Sequence, residues 1–270
     1  MRKTRYAVAA MAAAAALTLS ACGADSGSDS AESGDAETIR IGIKFDQPGL
    51  GFAEAGDYAG FDVDVAKYVA NELGYGEDQI EWIETPSAQR ENMLENDQVD
   101  MIFATYSITD TRKEKVSFAG PYFIAGQDLL VRSDSDITGP EDLNGKTLCS
   151  VTGSTSAQKV KDGIANDVNL VEQPSYAECV TAMQGGSIDA VTTDDIILAG
   201  LASTDANKGQ FKVVGNTFSE EKYGVGIQKD SDKCEDINAA IEKMIEDGAW
   251  EEAIKKNSEG ADYTFNADLN

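Results

Sequence analysis

The chain has 270 residues, 48 acidic against 22 basic, a formal net charge of −26 and no histidine. So acidic a surface argues against nucleic acid and against direct attraction to anionic lipid. The missing histidine removes imidazole general-base chemistry, Ser-His-Asp triads and most zinc sites, and no P-loop, Gly-x-Gly-x-x-Gly or Gly-x-Ser-x-Gly motif is present.

In chain order, Arg2, Lys3 and Arg5 precede an Ala/Leu/Val run that ends at Leu19-Ser20-Ala21-Cys22. A basic start and a short apolar run make residues 1–21 an export signal, too short to stay as a membrane span. Residues 22–37 are mostly Gly, Ala, Ser, Asp and Glu, a composition that cannot bury apolar surface and reads as a flexible tether. The remaining length suits two modest lobes.

Ile39 to Ile43 reads as a first strand, and Gly60-Phe61-Asp62 opens an amphipathic helix with Val65, Val69 and Leu73 on one face. An imperfect repeat follows. Ile83-Glu84-Thr85-Pro86-Ser87 answers Val171-Glu172-Gln173-Pro174-Ser175, and Val99 to Thr105 answers Ile188 to Asp194. Each copy reads as an apolar strand, a Pro-Ser turn that caps a helix, and a second apolar strand, a βαβ unit whose buried strands should lack polar alternation. Two copies imply two similar lobes. Because ligands sit beyond the carboxyl ends of the strands in open α/β sheets, Thr105 and Asp194 are expected on facing walls of one cleft.

The fold class is therefore α/β, two-lobed, with a hinge of two segments. Gly120-Pro121-Tyr122 leads into Asp128 to Arg132 as the outward crossing, and Tyr223 to Ile227 is the return. This gives residues 38–121 and 227–270 to the first lobe and 122–226 to the second. Two closing helices, Asp236 to Asp247 and Ala249 to Lys256, carry Ile237, Ile241, Met244, Ile245 and Ile254 for packing on the first lobe.

An exported chain sits where disulfides persist, so Cys149, Cys179 and Cys234 suggest one pair and one leftover. Cys149 lies in the strand Lys146 to Val151, and Cys179 shares a helix face with Val180 and Met183 in the next unit of the same lobe. The expected pair is Cys149 with Cys179; three buried thiols are the alternative.

Arg112 follows the hydroxyl-rich loop holding Thr105, Ser107 and Thr109, and a guanidinium with nearby hydroxyl and N–H donors is what a carboxylate requires. A surface pair with Asp110 or Glu114 is the plainer reading. Asp194 at the opposite mouth can accept from an ammonium, with helix capping as its plainer role. Gly153-Ser154-Thr155-Ser156 joins a strand to a helix, where free N–H groups favour anions. Lys44 ends the first strand, and Arg90 lies one turn into the helix expected to begin at Pro86-Ser87.

Ser-Ile-Thr-x-x-Arg, Gly-Phe-Asp-Val-Asp-Val-Ala, Gly-Ser-Thr after a strand and Asp-Ala-Val-x-x-Asp, in this chain's own arrangement, resemble the periplasmic-type solute-binding proteins of polar amino-acid ABC importers (family 3). The likeness is strongest to actinobacterial glutamate-binding lipoproteins. The resemblance implies that Arg112, with Ser107 and Thr155, clamps an α-carboxylate and that Thr105 and Asp194 take the α-ammonium. It also supports Lys44 and Arg90 as receivers of a side-chain carboxylate, with Ser87 as a further donor and Ser154 beside Thr155 in the ligand set. The Leu-Ser-Ala-Cys end resembles the lipobox, which implies a diacylglyceride on Cys22 and a chain anchored on the outer face of the cytoplasmic membrane. The expected activity is capture of L-glutamate, with aspartate as the other candidate, by a monomer that serves an ABC permease and its ATPase. No catalytic residue, metal or cofactor enters this reading. An alternative on a similar fold is a prephenate/arogenate-type dehydratase, for which Lys44 or Glu84 are the only acids or bases at hand; a ligand-sensing co-receptor is the other.

Overall fold

The structure, a computed structural model, describes residues 37–270 apart from Asn166, Asn266 and Asn270. The expected signal at 1–21, the lipidation site Cys22 and all of the tether but Glu37 lie outside the described residues. Glu37 is already fastened, its carbonyl accepting a 2.8 Å hydrogen bond from Gln79.

Two five-stranded sheets carry the fold. The first is ordered Ile80–Glu84, Ile39–Ile43, Met101–Ile102, Glu221–Ile227, Ser117–Ala125. The second is ordered Asn169–Gln173, Thr147–Val151, Ala190–Asp194, Gln127–Arg132, Phe211–Val213. In both, the first three strands run parallel and the fourth runs against the third. The repeat seen in the sequence is thus a repeat of topology, and the two strands of each copy flank the strand that precedes the copy instead of pairing with each other. The opening strand of each copy is consequently an edge. Ile80–Glu84 and Asn169–Gln173 are half-exposed, whereas Ala190–Asp194 is buried throughout, so the expected continuous burial holds only for the inner strands.

The expected lobe limits shift. Ser117–Ala125 and Glu221–Ile227 pair antiparallel over most of their length within the first sheet, so neither is itself the crossing. The chain leaves the first sheet at Gly126, between the strands Ser117–Ala125 and Gln127–Arg132, and returns between Val213 and Glu221. The ladder between Ser117–Ala125 and Glu221–Ile227 satisfies backbone groups that an irregular crossing would leave open.

A three-stranded meander, Asp46–Gln47, Gly51–Glu54 and Asp57–Ala59, sits between the first strand and the helix Phe61–Glu72. That helix buries Phe61, Val65 and Val69. Cys234–Glu246 presents Ile237, Ala240, Ile241 and Met244 inward, and Ala249–Asn257 adds Trp250 and Ile254. Ile245, expected among the packing residues, is instead 42% exposed, since its neighbour Met244 takes the inward position. Cys149 and Cys179 form a disulfide with a sequence separation of 30, and Cys234 is free. Closing a loop of that size stabilises the fold by roughly 3–4 kcal/mol in the chain-entropy account.

Candidate functional site

The carboxyl ends of the two inner strands meet at one small cavity. Its walls include Ser87, Arg90, Thr105, Ser107 and Arg112 from one lobe, and Ser154, Thr155 and Asp194 from the other. Of the nine residues expected to hold a ligand, Lys44 alone is absent from this lining. Its ammonium is buried and lies 3.5 Å from the Asp46 carboxylate, because the meander folds back over the end of the first strand and brings Asp46 to it. Burial pushes the Lys44 amine down from its ordinary value, and the charge of Asp46 opposes that.

Arg112 is held from three sides. Its Nε lies 3.2 Å from a Glu91 carboxylate oxygen, Nη1 donates to the Ser107 carbonyl at 2.7 Å, and Nη2 donates across the lobes to the Gly153 carbonyl at 3.0 Å. One hydrogen remains on each Nη, a geometry suited to a bidentate carboxylate. Burial, with the Arg90 charge next, lowers the Arg112 guanidinium to about 10. The plainer alternative, a surface pair with Asp110 or Glu114, is not what Arg112 makes.

Arg90 is the less satisfied cation. Nη1 donates to the Ala104 carbonyl at 2.7 Å, while Nε is buried with no partner. Both guanidinium carbons lie over the Tyr106 ring, Arg90 at 4.2 Å and Arg112 at 4.9 Å from its centroid. The ring's negative face offsets part of the repulsion between the two cations. The Tyr106 hydroxyl donates to Glu91 at 2.8 Å, so one carboxylate fixes both the ring and Arg112.

The first copy of the repeat departs from the second at its turn. Ser175 caps its helix by accepting the Glu178 amide at 3.3 Å. In the first copy the helix runs Arg90–Glu95 with Gln89 at the cap position. Ser87, expected to cap, is left buried on the cavity wall, and Arg90 begins the helix instead of lying a turn inside it. Ser154 does cap, accepting the Ala157 amide at 3.0 Å. Thr155 reaches Ser107 across the lobes at 3.5 Å and donates to Glu221 at 3.2 Å.

Thr105 adopts φ 47°, an uncommon region for a β-branched residue. The buried Asp62 carboxylate receives its amide at 2.9 Å and the Tyr122 hydroxyl at 2.8 Å. Burial raises Asp62 to about 6 despite these donors. The Thr105 hydroxyl lies 2.7 Å from the Ala104 carbonyl and 3.2 Å from Gln47 Oε1; its one hydrogen goes to one of them, and its lone pairs stay available.

Asp194 is not a side-chain cap: its position precedes the helix Asp195–Ser203, but no amide bonds its carboxylate. Asp195 instead accepts from Gly126 at 3.2 Å and from Ile196 at 2.8 Å. Asp194 Oδ2 accepts from Tyr223 at 2.5 Å, and Oδ1 is buried without a partner. Burial, then the nearby Glu221 charge, pushes the Asp194 carboxyl up to about 7. Glu221 is itself buried, ion-paired with Lys159 and accepting from Ser219 at 2.9 Å.

Glu91, Tyr106, Tyr176, Glu221 and Tyr223 were not singled out from the sequence. Glu91 and Tyr106 each adjoin a residue that was. Tyr176, which takes a hydrogen bond from Thr193 at 2.7 Å on the cavity wall, and the pair on the return strand carry no local signal.

A cavity with a guanidinium pair on one wall and a residue with an unpaired carboxylate oxygen on the other suits a small zwitterion. Comparison with known proteins agrees in kind. Residues 39–259 match the family described as bacterial extracellular solute-binding proteins, family 3. The chain is 47% identical to the glutamate-binding protein GluB of Corynebacterium efficiens, over 94% of this chain and 90% of that one. It is 37% identical to the ABC transporter glutamine-binding protein GlnH of Bacillus subtilis, over 94% and 97%. A solved structure of an ancestral arginine-binding protein bound to glutamine superposes with a TM-score of 0.75 at 34% identity, covering 81% of this chain and 96% of that one. These relatives are named for binding, not for a reaction, and the role of this chain is solute binding. It belongs to the bacterial extracellular solute-binding proteins, family 3, with their two-lobed periplasmic-binding fold.

Proposed function

We propose that this protein captures L-glutamate and delivers it to an ABC permease and its ATPase. The observation that carries the reading is a pair of unmet polar atoms in one cavity, Arg90 Nε and Asp194 Oδ1. Asp194 Oδ1, with Thr105, accepts the α-ammonium. The free Nη hydrogens of Arg112, with Ser107, Ser154 and Thr155, take the α-carboxylate. Arg90 and Ser87 take the side-chain carboxylate. The lobes close about Gly126 and the segment 214–220, and ligand stabilises the closed form because its two ends need both walls.

The names of the relatives support an amino acid and leave glutamate and glutamine in competition. Charge favours glutamate. Arg90 meets a carbonyl and a ring face and no carboxylate among the described residues, and a buried cation is served far better by a carboxylate than by an amide. The export signal and the lipobox-like Cys22 support a monomer held on the outer face of the cytoplasmic membrane by lipid. Calorimetry of residues 37–270 against the twenty amino acids tests the reading. Glutamate should bind at least about tenfold more tightly than glutamine, a difference of roughly 1.4 kcal/mol; equal affinities would remove the role given to Arg90.

A further inference from the structure

The lobes also meet outside the cavity, backbone to backbone. Gly200 lies in the buried helix Asp195–Ser203 of the second lobe. A Cβ built on it would stand 2.2 Å from the Pro48 carbonyl oxygen and 3.3 Å from its carbon, in the first lobe. Neither partner has freedom to withdraw. The helix carrying Gly200 buries Ile196, Ile197, Leu198 and Leu201.

Pro48 belongs to a turn that is fastened on several sides. The Leu50 amide bonds Gln47 at 3.0 Å, the Phe61 amide bonds Gly49 at 2.9 Å and the Asp62 amide bonds Leu50 at 3.1 Å. Gly60, at φ +122°, lets the Leu50 carbonyl come within 2.0 Å of where a Cβ would be, and the corresponding approach of the Asn257 carbonyl at Gly49 is 2.7 Å. The turn is also coupled to the ligand wall. Asp62, whose amide holds Leu50, receives the Thr105 amide at 2.9 Å.

We infer that the Gly200–Pro48 contact is a closure stop: position 200 sets ligand affinity without touching ligand, because only glycine lets the lobes shut to the distance at which both cavity walls engage. The inference rests on the reading that ligand is gripped between the two lobes. A helix-interior glycine is otherwise a cost to its helix, alanine being the better helix former. Its presence is explained if the open form has room for a methyl group and the closed form has none.

The test compares wild type with Gly200→Ala on the soluble chain from residue 37. Melting without ligand, calorimetry against the twenty amino acids and small-angle scattering are read together. The ligand-free variant should melt at the wild-type temperature or up to about 4 °C above it. Its affinity for the amino acid that wild type prefers should fall about tenfold to a hundredfold, the scale of overpacking a tight contact. At a concentration saturating wild type, its radius of gyration should stay at the ligand-free value. Affinity within about twofold of wild type overturns the closure stop. So does a variant that melts well below wild type without ligand, since the contact would then be a permanent part of the fold. The glutamate assignment is judged separately, on wild type alone: preference for another amino acid overturns that assignment while the variant's affinity ratio still decides the closure stop. A wild type that takes none of the twenty overturns both.

Discussion

Tyr223 donates to Asp194 Oδ2 at 2.5 Å from the other lobe. The strand bearing Tyr223 belongs to the first sheet and returns directly from the hinge, while Asp194 ends an inner strand of the second. The phenol therefore does two things at once. It occupies one carboxylate oxygen, so that only Oδ1 is left unpaired, and it opposes the upward push of burial on the Asp194 carboxyl.

Tyr223→Phe keeps the ring and its packing but withdraws that donor. A buried carboxylate that loses a hydrogen bond loses on the order of 1–3 kcal/mol. Glutamate affinity at neutral pH should drop about tenfold, and the pH at which half of the affinity is lost should move upward. Calorimetry across pH 6 to 9 checks both, and an unchanged midpoint would mean that the phenol does not act on the charge of Asp194.

Asp194 gives binding a pH dependence of definite sign. The ammonium requires the ionised carboxylate, and without ligand the carboxyl titrates at about 7. Below that, a proton must leave before ligand enters, so affinity should fall by up to about tenfold per pH unit. Ligand-free stability runs the other way. A carboxyl raised above its ordinary value of 3.8 to about 7 is protonated more readily in the folded chain than in the unfolded one. Its contribution is complete below pH 4 and is lost as pH rises to 7. Asp62, raised to about 6, adds to the same slope. Asp194→Asn should flatten the affinity profile and reduce the melting slope to the part carried by the other buried carboxyls, Asp62, Asp128 and Asp195, all of which burial raises. A variant with the wild-type pH profile would assign the titration elsewhere.

The sequence showed the two lobes and the inner strands because a duplicated unit can be aligned with itself, whereas Ser87, Ser107, Ser154 and Thr155 joined the expected ligand set through the family resemblance. Matching Thr105 to Asp194 located two strand ends that the structure brings to one cavity. Where the copies diverge the inference weakened. The equivalent prolines and serines suggested two identical caps, yet Ser175 caps while Ser87 faces the cavity. The meander at 46–59 stayed hidden because strands of two to four residues have no readable period. Lys44 was misplaced for that reason, since the residues that turn over it were read as a plain connection. Glu221 and Tyr223 contribute through tertiary approach alone; nothing near them in the chain announces Asp194.

Removing either cavity arginine should have a different signature. Arg112→Ala deletes the one guanidinium that, among the described residues, bonds across the lobes, through Gly153, and frees Glu91 to repel a carboxylate. Binding of every amino acid should weaken by about 2–5 kcal/mol, the scale for truncating a buried charge partner. Arg90→Ala should spare much of the binding of glutamine and erase the preference for glutamate. Titrations with glutamate, glutamine and aspartate separate the two patterns. Equal losses across all three ligands for Arg90→Ala would place the side-chain carboxylate elsewhere.

Lys44 and Arg90 were both expected at the side-chain carboxylate, and the structure places them differently. Lys44 has a partner, Asp46 at 3.5 Å, and is off the cavity lining, whereas Arg90 lines it with Nε unmet. Lys44→Met preserves the buried stem and removes the charge. Asp46 then loses its cation while its Oδ2 is already buried without a partner, so the cost in stability should be about 1–3 kcal/mol. Losing a positive neighbour also relieves Arg90, since Lys44 and Arg90 repel through the intervening protein. The ratio of glutamate to glutamine affinity in Lys44→Met should therefore stay within about threefold of wild type, while Arg90→Met brings that ratio close to one. A collapse of the ratio in Lys44→Met as complete as in Arg90→Met would mean that ligand draws Lys44 away from Asp46 and into the cavity, making the two cations joint holders of the second carboxylate.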